Sequence, residues 1–224
     1  MTTDETSSRR TTTDSRPYHH GDLRDALLAA AESVLAESGA TGFSLRATAR
    51  RAGVSHAAPA HHFGDVNGLL AALCERGFRR LTTTMIAHRD MDTPPTERLL
   101  RIGAGYVAFA QEHPALFELM FGGRMTGIEG SAAGEAAFGV LLEALGAVRG
   151  HPIESADDWR AVAGTWSAVH GLAHLAIAGR MRFLSCADER RPSKKGVTGA
   201  DTISPEEIVR VLAETLGDGP PRHS

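Results

Sequence analysis

The chain has 224 residues, a formal net charge of −3 and a pI of about 6.4. This length allows one large or two small domains with a real hydrophobic core, and the charge excludes a polycation that coats nucleic acid without specificity. Cys74 and Cys186 offer neither a disulfide framework nor metal-binding spacing, which favours a reducing cytoplasm. The sequence contains no apolar run near the ~18 residues of a membrane helix and no signal-peptide segment, so we expect a cytoplasmic protein.

The N-terminal segment 1–17 is polar and predicts a disordered tail. Its arginines Arg9, Arg10 and Arg16 allow an alternative interpretation, a basic arm that reaches a DNA minor groove. Order is expected to begin near Tyr18, and an apolar stripe then predicts a first helix that ends at Gly39. The adjacent histidines 19 and 20 have no carboxylate or cysteine at ligand spacing, so no metal site is predicted.

A pattern typical of a helix-turn-helix follows between Phe43 and Phe63. Ser44 can cap a first helix by accepting a backbone N–H of its first turn, and Gly53 stands where that helix must end and the chain must turn. Ser55 can cap a second helix, in which Pro59 lies about four residues from the start and removes one backbone hydrogen bond. In this motif one helix braces the other, and the second lies in the DNA major groove.

Positive charge is concentrated on the same stretch. The range 39–64 contains no Asp or Glu but includes Arg46, Arg50 and Arg51. A local basic footprint on a mildly acidic chain is expected of a protein that reads specific DNA sites. The alternative interpretation is a solvated basic face without a ligand.

The rest of the chain predicts further helices. Asp65 can cap a long helix over 65–89, and Pro94 and Pro95 can start the next, which breaks at His113-Pro114. A glycine-rich loop over 122–134 adjoins these aromatic helices, an arrangement that suits a ligand mouth. Ser155 with Asp158 can cap another long helix that is apolar on two faces, and a capping box at 204–207 starts a final helix.

Several of these segments resemble a known family. YHHGDL at 18–23, GFSLRATARRAG at 42–53, and the pairs VS, HF and LL at 54–55, 62–63 and 69–70 resemble the N-terminal domain of the TetR/AcrR transcriptional regulators. HPALFELMFG at 113–122 and TWSAVHGLAHL at 165–175 resemble a subgroup with a Trp-x-x-x-His-Gly signature.

The resemblance implies an all-α homodimer. Its first three helices would bind DNA, and its fourth would connect them to a ligand-binding and dimerising domain. The implied division is a tail at 1–17, a helix-turn-helix domain at 18–64, a helical domain at 65–217 whose first helix is 65–89, and a tail at 218–224.

Two positions depart from the family pattern. Ala60 stands where the family commonly has a tyrosine that touches the phosphate backbone, and Val66 stands where it commonly has a phosphate-contacting lysine. Loss of both contacts predicts weak DNA binding unless other residues compensate.

The sequence and the resemblance together predict two sites. The predicted DNA-contacting residues are Thr41, Ser44, Arg46, Ser55, His56, Ala57, His61 and His62, although His62 can equally cover the core. The predicted ligand-binding residues are Tyr106, Phe109, Phe117, Met120, Phe121, Met125, Trp166 and His170, each of which can instead be ordinary core. We expect a repressor that a small apolar or aromatic effector releases from a palindromic operator, without catalytic residue, cofactor or metal.

Two alternatives belong to other classes. A metal-dependent or acid–base enzyme would use His170 and His174, which lie four residues apart on a helix, with Asp157 or Asp158. A helical binding protein that has lost its DNA function would explain Ala60 and Val66.

Overall fold

The computed structural model describes residues 20–122 and 131–181, and within these ranges all regular secondary structure is helical. The all-α prediction is therefore confirmed. The helices are α1 (His20–Gly42), α2 (Leu45–Ala52), α3 (Ala58–Phe63), α4 (Val66–Ala87), α5 (Pro95–Glu112), α6 (Pro114–Phe121), α7 (Ala132–Arg149) and α8 (Ala156–Ile177). None of the helices in these two ranges is long and apolar enough to cross a membrane. The predicted tails, the predicted final helix and Met125 lie outside the described residues.

The regular part of the first helix ends at Gly39, as the sequence predicted. The chain kinks at Gly39, where φ is 63°, and resumes one helical turn that ends at Gly42. Glycine reaches this positive φ without a Cβ clash, so it can end the regular helix and redirect the short turn that follows. The kink lies just before α2 and sets the direction in which the chain enters it.

Helix α2, the first helix of the helix-turn-helix, follows the prediction closely. The hydroxyl of Ser44 accepts the backbone N–H of Ala47 at 3.2 Å, and Gly53 ends the helix in the left-handed region at φ 68°. Thr48 and Ala49 are fully buried against the neighbouring helices. Both ends of α2 are therefore specified locally, by a serine cap and a glycine stop.

The prediction that Ser55 caps α3, the second helix of the helix-turn-helix, is wrong. The helix begins at Ala58 with Ala57 as its N-cap and without a side-chain cap, while the backbone carbonyl of Ser55 accepts the Ala58 N–H in the preceding turn at 3.0 Å. Pro59 explains the difference, because proline is accepted in the first helical turn but would clash with the carbonyl four residues earlier if it lay further in. Pro59 is fully buried at this position and removes no helical hydrogen bond.

The remaining helices form one bundle around α4. Asp65 caps α4 through the Gly68 N–H at 2.8 Å, as predicted, and α4 contacts α1 and α3 at one end and α5, α6 and α7 along its length. Pro95 starts α5 and His113-Pro114 separates it from α6. Ser155 and Asp158 form the predicted capping box at the start of α8. One continuous apolar core runs from α1 to α8.

Candidate DNA-binding surface and ligand cavity

The exposed end of α1–α3 carries most of the residues predicted to contact DNA. Thr41, Ser55, His56, Ala57 and His61 are exposed together with Arg46, whereas Ser44 and His62 are half-buried. The Ser44 hydroxyl accepts the cap hydrogen bond, so its own proton remains available for a phosphate oxygen. These placements agree with the predicted surface but leave the contacts themselves a prediction.

His62 differs from its neighbour His61 in its surroundings. Its ring lies 6.2 Å from the ring of Phe63, and it lines a groove that also includes Arg24, Phe63 and Glu75. The guanidinium of Arg24 stands over the Phe63 ring at 5.3 Å. Part of the His62 side chain therefore covers this junction, which matches the alternative interpretation of that residue.

The side chains of Arg51 and Val66 contact other parts of the protein, whereas that of Ala60 is exposed. Arg51 pairs with the carboxylate of Glu37 on α1, so it braces the motif internally. Ala60 is exposed on α3, while Val66 is half-buried and packs against the core at the start of α4. Of the two departures from the family pattern, Ala60 alone leaves an open surface position.

A narrow apolar cavity lies among helices α4 to α8. The cavity volume is about 80 Å³, smaller than the ~300–1,000 Å³ common for small-molecule sites, so an effector would have to widen it. None of the described side chains that line it is charged. They are Phe78, Leu81, Met85, Leu99, Leu100, Ile102, Gly103, Tyr106, Phe121, Gly134, Ala137, Phe138, Leu141, Thr165, Trp166 and Val169.

The wall of the cavity has few polar groups, and Tyr106 is the most constrained of them. Its hydroxyl lies 2.8 Å from Nδ1 of His170 on α8, and burial raises the pKa of Tyr106. The hydroxyl therefore stays protonated and can donate or accept one hydrogen bond from a ligand. Its ring also packs edge-on against Phe117 at 5.6 Å between centroids.

His170 extends this contact toward the surface. Its Nε2 lies 3.1 Å from Nε2 of His174, which is exposed one turn later on α8. Burial, and next the neighbouring His174, lower the pKa of His170. The neutral imidazole is therefore favoured, so His170 can bridge Tyr106 and His174 with one ring nitrogen toward each.

The predicted ligand-binding residues occupy three different positions. Tyr106, Phe121 and Trp166 line the cavity, whereas His170 and Phe117 lie behind its wall, with their rings 5.5 Å apart. Phe109 and Met120 are buried in the core away from the cavity.

Sequence reasoning missed the contribution of α4 and α7. Phe78, Leu81 and Met85 on α4, and Ala137 and Phe138 on α7, line the cavity although none was predicted as a ligand contact. Their signal was the same apolar periodicity that marks ordinary core residues, and periodicity does not distinguish a filled core from one with a space in it.

Polar contacts join the first three helices to the bundle. Glu32 on α1 accepts a hydrogen bond from Arg80 on α4 at 2.7 Å, and Nδ1 of His113 between α5 and α6 lies 3.6 Å from the same carboxylate oxygen. Arg80 lies close to Phe78 and directly precedes Leu81, both of which line the cavity. A shift of α4 at the cavity would therefore displace a residue that contacts α1.

The arrangement does not support the enzyme with an aspartate partner. Asp157 and Asp158 pair with Arg149 at the start of α8. His170 lies 12 residues beyond Asp158 on the same helix, about 18 Å along its axis. No described histidine, cysteine or carboxylate joins these two histidines to form a three-residue metal-binding group.

Comparison with known proteins agrees with this architecture. Residues 27–73 match the family model "Bacterial regulatory proteins, tetR family", and residues 99–191 match "Tetracyclin repressor-like, C-terminal domain". A search of curated proteins finds no match.

Solved structures are similar over most of the chain. A protein of unknown function from Rhodococcus sp. RHA1 shares 34% identity, with 89% of this chain and 96% of that chain covered and a TM-score of 0.65. The TetR family transcriptional regulator PfmR from Thermus thermophilus shares 19% identity, with 88% and 99% covered and a TM-score of 0.55. A TetR-like transcriptional regulator from Rhodococcus sp. RHA1 shares 16% identity, with 88% and 97% covered and a TM-score of 0.58. The two matched family models, the helix-turn-helix geometry and the helical bundle behind it together place the chain in the TetR family of transcriptional regulators.

Proposed function

We propose that the protein is a transcriptional repressor that binds a palindromic operator as a homodimer and leaves it when a small apolar or aromatic effector enters the cavity. Regulators of this family are generally ligand-responsive DNA-binding repressors and are typically not enzymes. The observation that carries the proposal is the uncharged cavity on α4, since α4 also packs on the DNA-binding helices.

The composition of the wall supports an uncharged effector. An ionised group placed among these apolar side chains would lose its hydration without gaining a partner of opposite charge. Tyr106 offers one hydrogen bond, and the edge-on pair of Phe138 and Trp166, 5.8 Å apart, offers aromatic surface. A largely apolar compound with one polar group, such as a phenol or a ketone, fits these features.

Release of DNA would follow from a difference in affinity between two conformations. Two recognition helices must stand about 34–36 Å apart to enter successive major grooves. An effector that binds better when α4 has shifted stabilises a different separation, and it weakens DNA binding by the ratio of its affinities for the two states. Glu32 and Arg80 would transmit the shift from α4 to α1.

A face of α8 that the described residues leave exposed supports the homodimer. Trp159 and Leu175 are 47% and 46% exposed, and Gly164 and Gly171 on the same helix have open space where a Cβ would stand. Small residues of this kind allow two helices to approach closely. We also assign the chain to the Trp-x-x-x-His-Gly subgroup, on Trp166, His170 and Gly171.

Two measurements test the function together. A thermal-shift screen of uncharged aromatic and aliphatic compounds identifies effectors, because a compound at 100 times its Kd stabilises the folded protein by about 2.7 kcal/mol. A gel-shift assay with the promoter region of the protein's own gene then shows whether a stabilising compound releases DNA. The proposed function is wrong if every stabilising compound leaves DNA binding unchanged.

A further inference from the structure

The histidine pair on α8 has a geometry that the proposed DNA and effector functions do not require. Nε2 of His170 and Nε2 of His174 lie 3.1 Å apart, and their ring planes are inclined by 81°. We propose that these two nitrogens bind a divalent transition-metal ion of the Cu²⁺, Ni²⁺ and Zn²⁺ class.

The distance between the two nitrogens suits chelation. With metal–nitrogen bonds of about 2.05 Å, a separation of 3.1 Å gives a nitrogen–metal–nitrogen angle of about 98°. This angle lies between the roughly 90° of a square-planar or octahedral site and the roughly 109° of a tetrahedral one.

Tyr106 prepares His170 for this role. Its hydroxyl oxygen can accept the Nδ1–H of His170 at 2.8 Å, which leaves the lone pair of His170 on Nε2, toward His174. Metal-ligating histidines almost always donate their other ring N–H to an oxygen acceptor, which fixes the tautomer and the ring orientation.

His174 supplies access for the ion. It is exposed, whereas His170 is half-buried against the rings of Phe117 and Phe121, whose centroids lie 5.5 and 4.9 Å away. On metal binding, neutral His174 carries its proton on Nδ1, and the hydrogen bond between the two Nε2 atoms is replaced by the ion without net proton release. Imidazole nitrogens favour Cu²⁺, Ni²⁺ and Zn²⁺ over Mg²⁺ or Ca²⁺.

Two protein ligands leave the other coordination positions open. The described residues form no group of three His, Cys, Asp or Glu side chains that could hold an ion. Water completes the coordination, so binding is weaker than at a closed structural site.

The test uses the fluorescence of Trp166, whose ring lies 6.0 Å from the ring of His170. The chain has two tryptophans, so Trp159→Phe leaves Trp166 as the sole emitter. In this full-length variant, CuCl₂ added in a non-coordinating buffer should quench the emission saturably at one equivalent, and EDTA should restore it. A loss that rises linearly without saturation overturns the proposal.

A matched pair of variants locates the ion. His174→Ala, made at an exposed position, should raise the Cu²⁺ concentration at half-quenching by roughly tenfold or more. His151→Ala, at an exposed histidine in the turn between α7 and α8, should leave it unchanged. Circular dichroism establishes that both variants are folded, and His174→Gln repeats the test with a side chain of similar length. Equal quenching with and without His174 would place the ion elsewhere and overturn the assignment.

Discussion

The hydroxyl oxygen of Tyr106 on α5 lies 2.8 Å from Nδ1 of His170 on α8, so a single contact joins two helices at the wall of the cavity. Tyr106 is 7% exposed, and His170 is half-buried. The contact therefore contributes both to stability and to the orientation of the polar group that an effector would meet.

Tyr106→Phe is expected to lower the free energy of unfolding by about 1 kcal/mol, because a net hydrogen bond contributes roughly 0.5–1.5 kcal/mol and the half-buried ring of His170 loses its partner. Urea unfolding followed by circular dichroism measures the change. The control is the same substitution in a His170→Ala background, where the partner is already absent. An equal loss in both backgrounds would mean that the contact adds nothing.

The stability of the fold should fall as the pH is lowered through the titration of His170. In the folded protein the pKa of His170 is lowered from about 6.5, by burial and next by His174. At a pH between the folded and the unfolded pKa, the unfolded chain therefore binds more protons than the folded one. Stability contributed by neutral His170 is therefore complete above about pH 6.5 and is lost as the pH falls to the folded pKa.

An NMR titration of the imidazole Cε1–H signals tests this assignment, with His170→Asn identifying the resonance. The folded pKa of His170 should lie below 6.5, and His174→Ala should raise it because one of the two causes is removed. A folded value at or above the ordinary one would contradict the expected sign.

Ala137→Leu should abolish the effector response while DNA binding remains. Ala137 lines the cavity and is 7% exposed, so a larger side chain fills space that an effector needs. Ala136→Leu, on the exposed side of the same helix, is the matched control. The expected result is a protein that stays on DNA at effector concentrations that release the control. A normal response in Ala137→Leu would place the effector site elsewhere.

Glu32→Gln should change the coupling between the cavity and DNA rather than the affinity for either ligand alone. The substitution weakens the contacts from α1 to Arg80 and His113. An effect of about 0.5–2 kcal/mol on coupling is typical of such positions. Glu37→Gln, which removes a pair within the DNA-binding helices, is the comparison. Effector binding measured with and without operator DNA gives the coupling, and identical values for the two variants would exclude a special role for Glu32.

Ala60→Lys should strengthen DNA binding and make it more sensitive to salt. Ala60 is exposed on α3, at the position where the family resemblance implies a phosphate-contacting side chain. One added phosphate contact should steepen the log–log salt dependence by about 0.9. Arg51→Ala, which removes a charge already paired with Glu37, should change the slope much less. An unchanged slope in Ala60→Lys would mean that this face of α3 does not approach the backbone.

The sequence predicted the helical class and most helix ends because those features depend on local chemistry. Ser44, Asp65 and Ser155 each cap the helix that their position indicated, and Gly53 ends α2 with a positive φ. The start of α3 was mispredicted because Pro59 permits two local outcomes, and the choice depends on how the chain packs afterwards.

The cavity could be predicted only in part. Aromatic residues such as Tyr106 and Trp166 were identifiable by type, but no pattern separates Phe121, at the wall, from Phe117, behind it. That difference depends on the relative rotation of α6 against α5 and α8. Likewise, the spacing of His170 and His174 predicted that they share one face of a helix. The 3.1 Å distance between their Nε2 atoms depends in addition on the rotation of the His170 ring, which Tyr106 holds.

The most direct test of the account is the affinity of the purified protein for a duplex from upstream of its own gene, measured by fluorescence anisotropy with and without a stabilising compound. We predict saturable, sequence-dependent binding at low salt that the compound weakens. The same compound should fail to weaken the binding of Ala137→Leu. Failure to select any specific duplex from a random pool, or a stabilising compound that leaves the DNA affinity of the unaltered protein unchanged, would contradict the account.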